Sequence, residues 1–168
     1  ALANMLSNCE SLPMLTVTTF FVAHEKDLKG FGCLFAEGQG FETLGVLFND
    51  SIFEDRSTVG IRSETWMLGG AKNPEVNALS DEQVLAKIFA DRERLNPAAA
   101  QAKPLSVHVT RWPRAIPHYT VEWEERLRNL KVNRPLFLHG NYLGQLGLAR
   151  ILHRSQALAA QLKDLYVS

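Results

Sequence analysis

Leu15-Thr16-Val17-Thr18-Thr19-Phe20-Phe21-Val22 is a run of β-branched and aromatic residues, the side chains that suit a pleated, half-buried surface, and it predicts a strand. Three more strands are predicted close behind it. Phe31 to Phe35 follows Gly30; Glu37-Gly38-Gln39-Gly40 supplies a turn; Glu42 to Phe48 returns; and Arg62 to Leu68 stops at Gly69-Gly70. The second and third read as a hairpin. Four strands in such close succession favour antiparallel neighbours, since parallel ones need long crossovers.

Beyond residue 79 the periodicity changes. Ser80-Asp81-Glu82-Gln83 is a capping-box pattern, and Val84, Leu85, Ile88, Phe89 and Leu95 follow at helical spacing until Asn96-Pro97 ends the helix. Ala98 to Pro104 reads as a loop. Val107 to Trp112 alternates like a strand and is expected to be cut off by Pro113. Val121 to Leu130 reads as a short helix burying Trp123 and Leu127. Leu136 to His139 reads as a short buried strand, Gly140-Asn141-Tyr142 as a turn, and Gln145 to Leu165 as a long helix. Its apolar positions Leu148, Ile151, Leu152, Ala159, Leu162 and Leu165 predict one packed face. The fold class expected is α+β: an antiparallel-rich mixed sheet with helices, plus a C-terminal strand and helix.

The chain has 168 residues, enough for one compact body with a real core. Lys+Arg and Asp+Glu are equal at 18 each, so nothing draws it to nucleic acid or anionic lipid. Cys9 and Cys33 are the two cysteines, with no CxxC spacing; neither a disulfide framework nor a metal site is predicted, and a reducing, cytoplasmic setting is expected. His24, His108, His139 and His153 form no HExxH and no i, i+4 pair. Glu122, Glu124, Glu125, Arg126 and Arg128 read as a solvated helix face. No apolar stretch approaches the ~20 residues that span a bilayer. The start at Ala1, with no signal pattern before the first strand, reads as that of a fragment.

Three segments carry a functional reading. The first runs from Leu28-Lys29-Gly30-Phe31-Gly32-Cys33-Leu34 through Glu42-Thr43-Leu44-Gly45-Val46-Leu47-Phe48 and Ser51-Ile52-Phe53-Glu54-Asp55-Arg56 to Met67-Leu68-Gly69-Gly70. The second is Trp112-Pro113-Arg114-Ala115-Ile116-Pro117-His118-Tyr119. The third is Gly140-Asn141-Tyr142 with the helix after it. On its residues alone the third is either an ordinary strand-to-helix turn in a core or a helix start whose unpaired N–H groups receive an electron-rich ligand edge. In this order and spacing the three resemble the C-terminal half of the protoporphyrinogen oxidases, within the flavin-containing amine oxidase superfamily. The resemblance covers roughly Leu12 to Leu165.

The resemblance implies an FAD-dependent oxidoreductase acting on a porphyrinogen, with this chain as its C-terminal part. It places Trp112, Ile116, Gly140, Asn141, Tyr142, Leu146, Gly147 and Leu148 along the flavin. Leu34, Leu47 and Met67 would line the cavity for a tetrapyrrole; on the residues alone they are equally well core positions of a sheet. Residues 1–134 would belong to the substrate-binding domain and 135–168 to the FAD-binding domain. No G-x-G-x-x-G turn for the FAD diphosphate occurs in the chain, so an N-terminal dinucleotide-binding half is expected as partner, and FAD is expected to bind this chain weakly or not at all. No catalytic side chain and no metal is expected, because the flavin carries the chemistry. A peripheral membrane contact of the parent protein and a homo-oligomer are the further partners considered.

Two departures from the family pattern stand out. Gln145 occupies the place where glycine usually precedes the Leu146-Gly147-Leu148 triplet, and His118 stands where glutamine is usual. Two other functions stay open at this point: a non-catalytic module binding tetrapyrrole or a partner, and a flavin amine oxidase with a different substrate.

Overall fold

The computed structural model describes residues 2–133 and 135–166. The chain order is α1 (Leu2–Ser7), β1 (Ser11–Val22), β2 (Gly32–Leu34), β3 (Gly45–Phe48), α2 (Asn49–Ile52), β4 (Ile61–Gly69), α3 (Asp81–Leu95), β5 (Ser106–Pro117), α4 (Val121–Arg128) and α5 (Leu148–Tyr166). The fold is α+β, built on a five-stranded sheet in the order β2-β3-β4-β1-β5. The chain divides into two compact units, residues 12–116 and residues 1–11 with 117–168. The domain boundary expected at 134/135 falls on Arg134, outside the described residues.

In the 12–116 unit the sheet is antiparallel at each registered pair: β1 against β4, β2 against β3, and β3 against β4. β5 lies beside β1, where the Leu105 N–H donates to the Phe20 carbonyl and the Trp112 indole N–H reaches the Thr16 hydroxyl. Alternation sends Leu15, Val17, Val46, Phe48, Trp66 and Leu68 to one face, where Val84 and Ile88 of α3 complete a core. That is the period-2 and period-3.6 pattern meeting face to face. The stripe continues one turn further, but with charges: Asp91 and Arg92 are 3% exposed. Asp91 accepts from the backbone N–H groups of Glu42 and Thr43 at 3.0 and 2.7 Å and from the Thr43 hydroxyl at 2.7 Å. Those donors are therefore spent on a side chain, and β3 starts at Gly45 rather than at the expected Glu42.

The start of α3 follows the capping box: Gln83 N–H donates to Ser80 Oγ, and Ser80 N–H to the Gln83 carboxamide. Ser80→Ala is expected to cost about 1 kcal/mol, read as a lower urea midpoint with an unchanged slope. β4 ends where expected because Gly69 has φ +108° and a Cβ there would meet the Pro13 carbonyl at 2.6 Å.

Three expectations are corrected. Pro113 does not end its strand: β5 runs on to Pro117, because it lies at the sheet edge, where a missing N–H removes no ladder bond. Leu136 to His139 forms no strand. Among the described residues no strand lies beside it, and a strand needs a neighbour to satisfy its backbone. The long helix starts at Leu148, not Gln145, and it buries no residue fully. Its half-buried positions are Ile151, Ser155, Leu158, Leu162 and Leu165, whereas Leu148, Leu152 and Ala159 of the expected packed face are exposed. No helix among the described residues is long and apolar enough to cross a membrane.

Candidate functional site

The sheet face opposite α3 gathers five of the residues singled out in the sequence. Leu34 pairs with Gly45, Gly45 with Met67, and Met67 with Thr16. One step along, Leu47 pairs with Thr65 and Thr65 with Thr18, whose hydroxyls bond at 3.0 Å. Paired residues share a face and so do residues two apart, so Leu34, Leu47 and Met67 lie together. Trp112 joins them through its bond to Thr16 Oγ1 at 3.2 Å, and alternation along β5 brings Ile116 to the same side. Leu34 is 85% exposed and Trp112 49%. Leu34 and Trp112 are therefore not core residues: the packed cluster of this unit lies on the other face.

A cleft of about 440 Å³ opens on this far face, within the range of about 300–1,000 Å³ usual for small-molecule sites. Phe20, Leu47, Ile52 and Phe53 give it apolar walls, and Asn49 and Arg56 add polar groups. Asn49 is anchored by donating to Ser63 Oγ at 3.1 Å and Thr65 Oγ1 at 2.8 Å. Ile52, Phe53 and Arg56 belong to a motif quoted from the sequence without individual roles. Ile52 ends α2, the short helix that follows β3, and Phe53 comes directly after it.

Two carboxyls shifted from their ordinary values lie on the α3 side instead. The hydrogen bond and charge of Lys87 hold Glu42 below the usual carboxylate range, and the Ser80 hydrogen bond does the same to Glu82. Among the described residues no cluster of His, Cys, Asp and Glu suits a metal ion.

The other unit carries the remaining site residues. Residues 141–144 form a turn held by two aromatic side chains. The Tyr119 hydroxyl donates to the Asn141 carbonyl and accepts from the Gly144 N–H, while the Trp123 indole N–H donates to the Tyr142 carbonyl at 3.0 Å. Neither Tyr119 nor Trp123 stood out in the sequence as a support of this turn, because the chain separation hides the contact. Gly147 caps α5, its carbonyl accepting from Arg150 and Ile151 N–H groups at 3.0 Å. Gly144, at φ +90°, and Gly147 both face open space, with nothing within 4 Å of an added Cβ. Leu148 is 84% exposed. The first N–H groups of α5 thus stand at an unobstructed helix start. His118 contacts Glu10, with Nδ1 at 3.7 Å from the carboxylate and its backbone N–H on the Glu10 carbonyl.

Comparisons with known proteins bear on both units. A family model described as flavin containing amine oxidoreductase matches residues 4–154. The chloroplastic protoporphyrinogen oxidase of Nicotiana tabacum is 31% identical over 96% of this chain and 32% of its own length. Protoporphyrinogen oxidase 1 of Spinacia oleracea is 32% identical over 82% of the chain and 26% of its own length. The chain thus spans between a quarter and a third of the length of these relatives. Among solved structures, a putative protoporphyrinogen oxidase from Exiguobacterium sp. 255-15 superposes with a TM-score of 0.76 at 17% identity, over 95% of this chain and 36% of that one. Reduced UDP-galactopyranose mutase gives 0.55 at 8% identity, over 74% and 26%. Both likenesses speak for the fold.

Proposed function

The chain belongs to the flavin containing amine oxidoreductase family, and from that premise we propose that it is the substrate-side part of an FAD-dependent oxidoreductase acting on a porphyrinogen. The observation that carries the reading is the far sheet face, where the register brings Leu34, Leu47 and Met67 together and the Trp112–Thr16 hydrogen bond adds Trp112 and, by alternation, Ile116. A flat, greasy macrocycle is the ligand such a surface suits, since its binding would remove exposed apolar area from water at about 25 cal/mol per Å².

The flavin, when bound, supplies the hydride acceptor. Gly140, Asn141, Tyr142, Leu146, Gly147 and Leu148 are the residues of their unit that would hold its ring. The unobstructed start of α5 suits such a ring, because its N–H groups favour an electron-rich carbonyl edge and its glycines leave room. Tyr119 and Trp123 would keep the turn in place for it. The chain's part in the reaction is to bind and orient the macrocycle and to exclude water from it; no proton-transferring side chain is required of it. The diphosphate needs a separate grip, since the chain has no G-x-G-x-x-G run.

Two measurements test this. Protoporphyrin IX, the stable aromatic form of the macrocycle, should quench the tryptophan fluorescence of the chain on micromolar titration. Trp112 lies on this face and is 49% exposed, so Trp112→Phe should weaken the titrated affinity severalfold. A folded chain, by circular dichroism, with no response to the porphyrin overturns the reading. FAD, by contrast, should be held weakly by the isolated chain, with less than a tenth of stoichiometric flavin retained in equilibrium dialysis at ~10 µM. The physical reason is that ring contacts alone leave the diphosphate in water.

A further inference from the structure

The far-face cleft is apolar on its walls and carries one cation. Phe20, Leu47, Ile52 and Phe53 supply the walls. Arg56 supplies the charge, its guanidinium 5.8 Å above the Phe53 ring. Most other arginines near this sheet are engaged, and Arg114, exposed on β5, does not line the cleft. Arg62 pairs with Asp50 and Glu64, Arg92 with Glu64, and Arg111 with Asp81, while Arg94 donates to the Gly40 carbonyl. Arg56 has no carboxylate within ion-pair distance among the described residues, although Glu54 and Asp55 are its chain neighbours. The floor is internally satisfied: Thr18 bonds Thr65, and Asn49 spends both amide hydrogens on Ser63 and Thr65. That leaves the Asn49 carbonyl oxygen as an acceptor.

From this we infer that the cleft takes a ligand with an apolar ring body and a peripheral carboxylate, and that Arg56 anchors the carboxylate. The inference rests on the porphyrinogen reading and deepens it, since that macrocycle carries carboxylate side chains. A guanidinium presents a planar fork that matches a carboxylate with two parallel N–H···O bonds. Seated against Phe53 it loses part of its water, which strengthens the pairing relative to a solvated surface lysine. The body of the ligand lies on Leu47 and Phe20, and its ring N–H groups have the Asn49 carbonyl below them. One charged end and one apolar end fix the orientation of an otherwise nearly symmetric ring, so Arg56 is a specificity-determining residue rather than a catalytic one.

The test compares protoporphyrin IX with its dimethyl ester, which keeps the ring and removes both charges. The unaltered chain should bind the free acid about tenfold more tightly than the ester, as expected for a charge-assisted bond at a partly exposed site. Arg56→Gln should lower affinity for the acid to that for the ester and leave the ester unchanged; Arg56→Lys should keep part of the preference. Arg56 is exposed, so the melting temperature of both variants should match that of the unaltered chain. Equal affinity of acid and ester for the unaltered chain, or a preference that survives Arg56→Gln, overturns the anchor while the porphyrinogen reading stands. Failure of both ligands to bind overturns the reading and the anchor together.

Discussion

Arg92→Ala is expected to destabilise the 12–116 unit by about 3–5 kcal/mol, a large part of the roughly 5–15 kcal/mol that holds a domain of this size folded. Glu64, 5% exposed, accepts from Arg92 Nε at 3.1 Å and Trp66 Nε1 at 3.1 Å on one oxygen, and from Arg62 Nε at 3.3 Å on the other. Arg92 also covers the Phe21 ring at 3.9 Å and donates to the Ala99 carbonyl. Its removal leaves a buried carboxylate short of charge compensation and a carbonyl without its donor, and it opens a void beside Phe21. Each of these costs more than the pair itself gains. Urea denaturation followed at Trp66 measures the loss. Arg111→Ala is the control, because the Arg111–Asp81 pair, at 2.7 Å, is 32% and 58% exposed and should cost no more than about 1 kcal/mol. A loss at Arg92 no larger than at Arg111 would show that the buried network is not what ties α3 to β4.

Much of this architecture was legible in the sequence because local chemistry and the final fold agree. The strands from Leu15 to Leu68 announce themselves by β-branched alternation, and α3 by Ser80 and Gln83. What escaped notice depends on partners far along the chain. Nothing near Glu42 says that its backbone N–H will be claimed by Asp91, 49 residues away. Nothing near Pro113 says that its strand is an edge. Leu136 to His139 looks like a strand by composition, but composition cannot supply a neighbour to pair with. The same division holds at the site. Leu34, Leu47, Met67, Trp112 and Ile116 came from a family resemblance, and only strand pairing and the Trp112–Thr16 bond explain why they share a face. Arg56 lay inside a quoted motif, and its meaning waits on knowing which other arginines are paired. Trp112, 49% exposed, is set apart from the buried Trp66 and Trp123.

Gly147→Thr is expected to separate folding from function, lowering flavin-dependent turnover about 100-fold in the proposed FAD-loaded enzyme. The fold should hardly register the change. Gly147 is the N-cap of α5, a position where threonine and glycine rank nearly alike, and nothing lies within 4 Å of an added Cβ. The melting temperature of the chain should therefore stay within about 2 °C of the unaltered value. In the proposed flavin site the same open space is where the ring edge meets the helix start. The added side chain there would displace the ring by about 1 Å or more, and a misplacement of that order costs about 100-fold when the reacting atoms must meet at close range. Gln145→Gly serves as the neighbouring comparison. Gln145 is half-buried and precedes the helix that starts at Leu148, so its truncation should move turnover less than the bulk introduced at Gly147. The readouts are flavin occupancy, the flavin absorption spectrum and porphyrin formation from porphyrinogen. A Gly147→Thr protein with unaltered flavin spectrum and turnover would place the start of α5 away from the flavin, whatever the substrate proves to be.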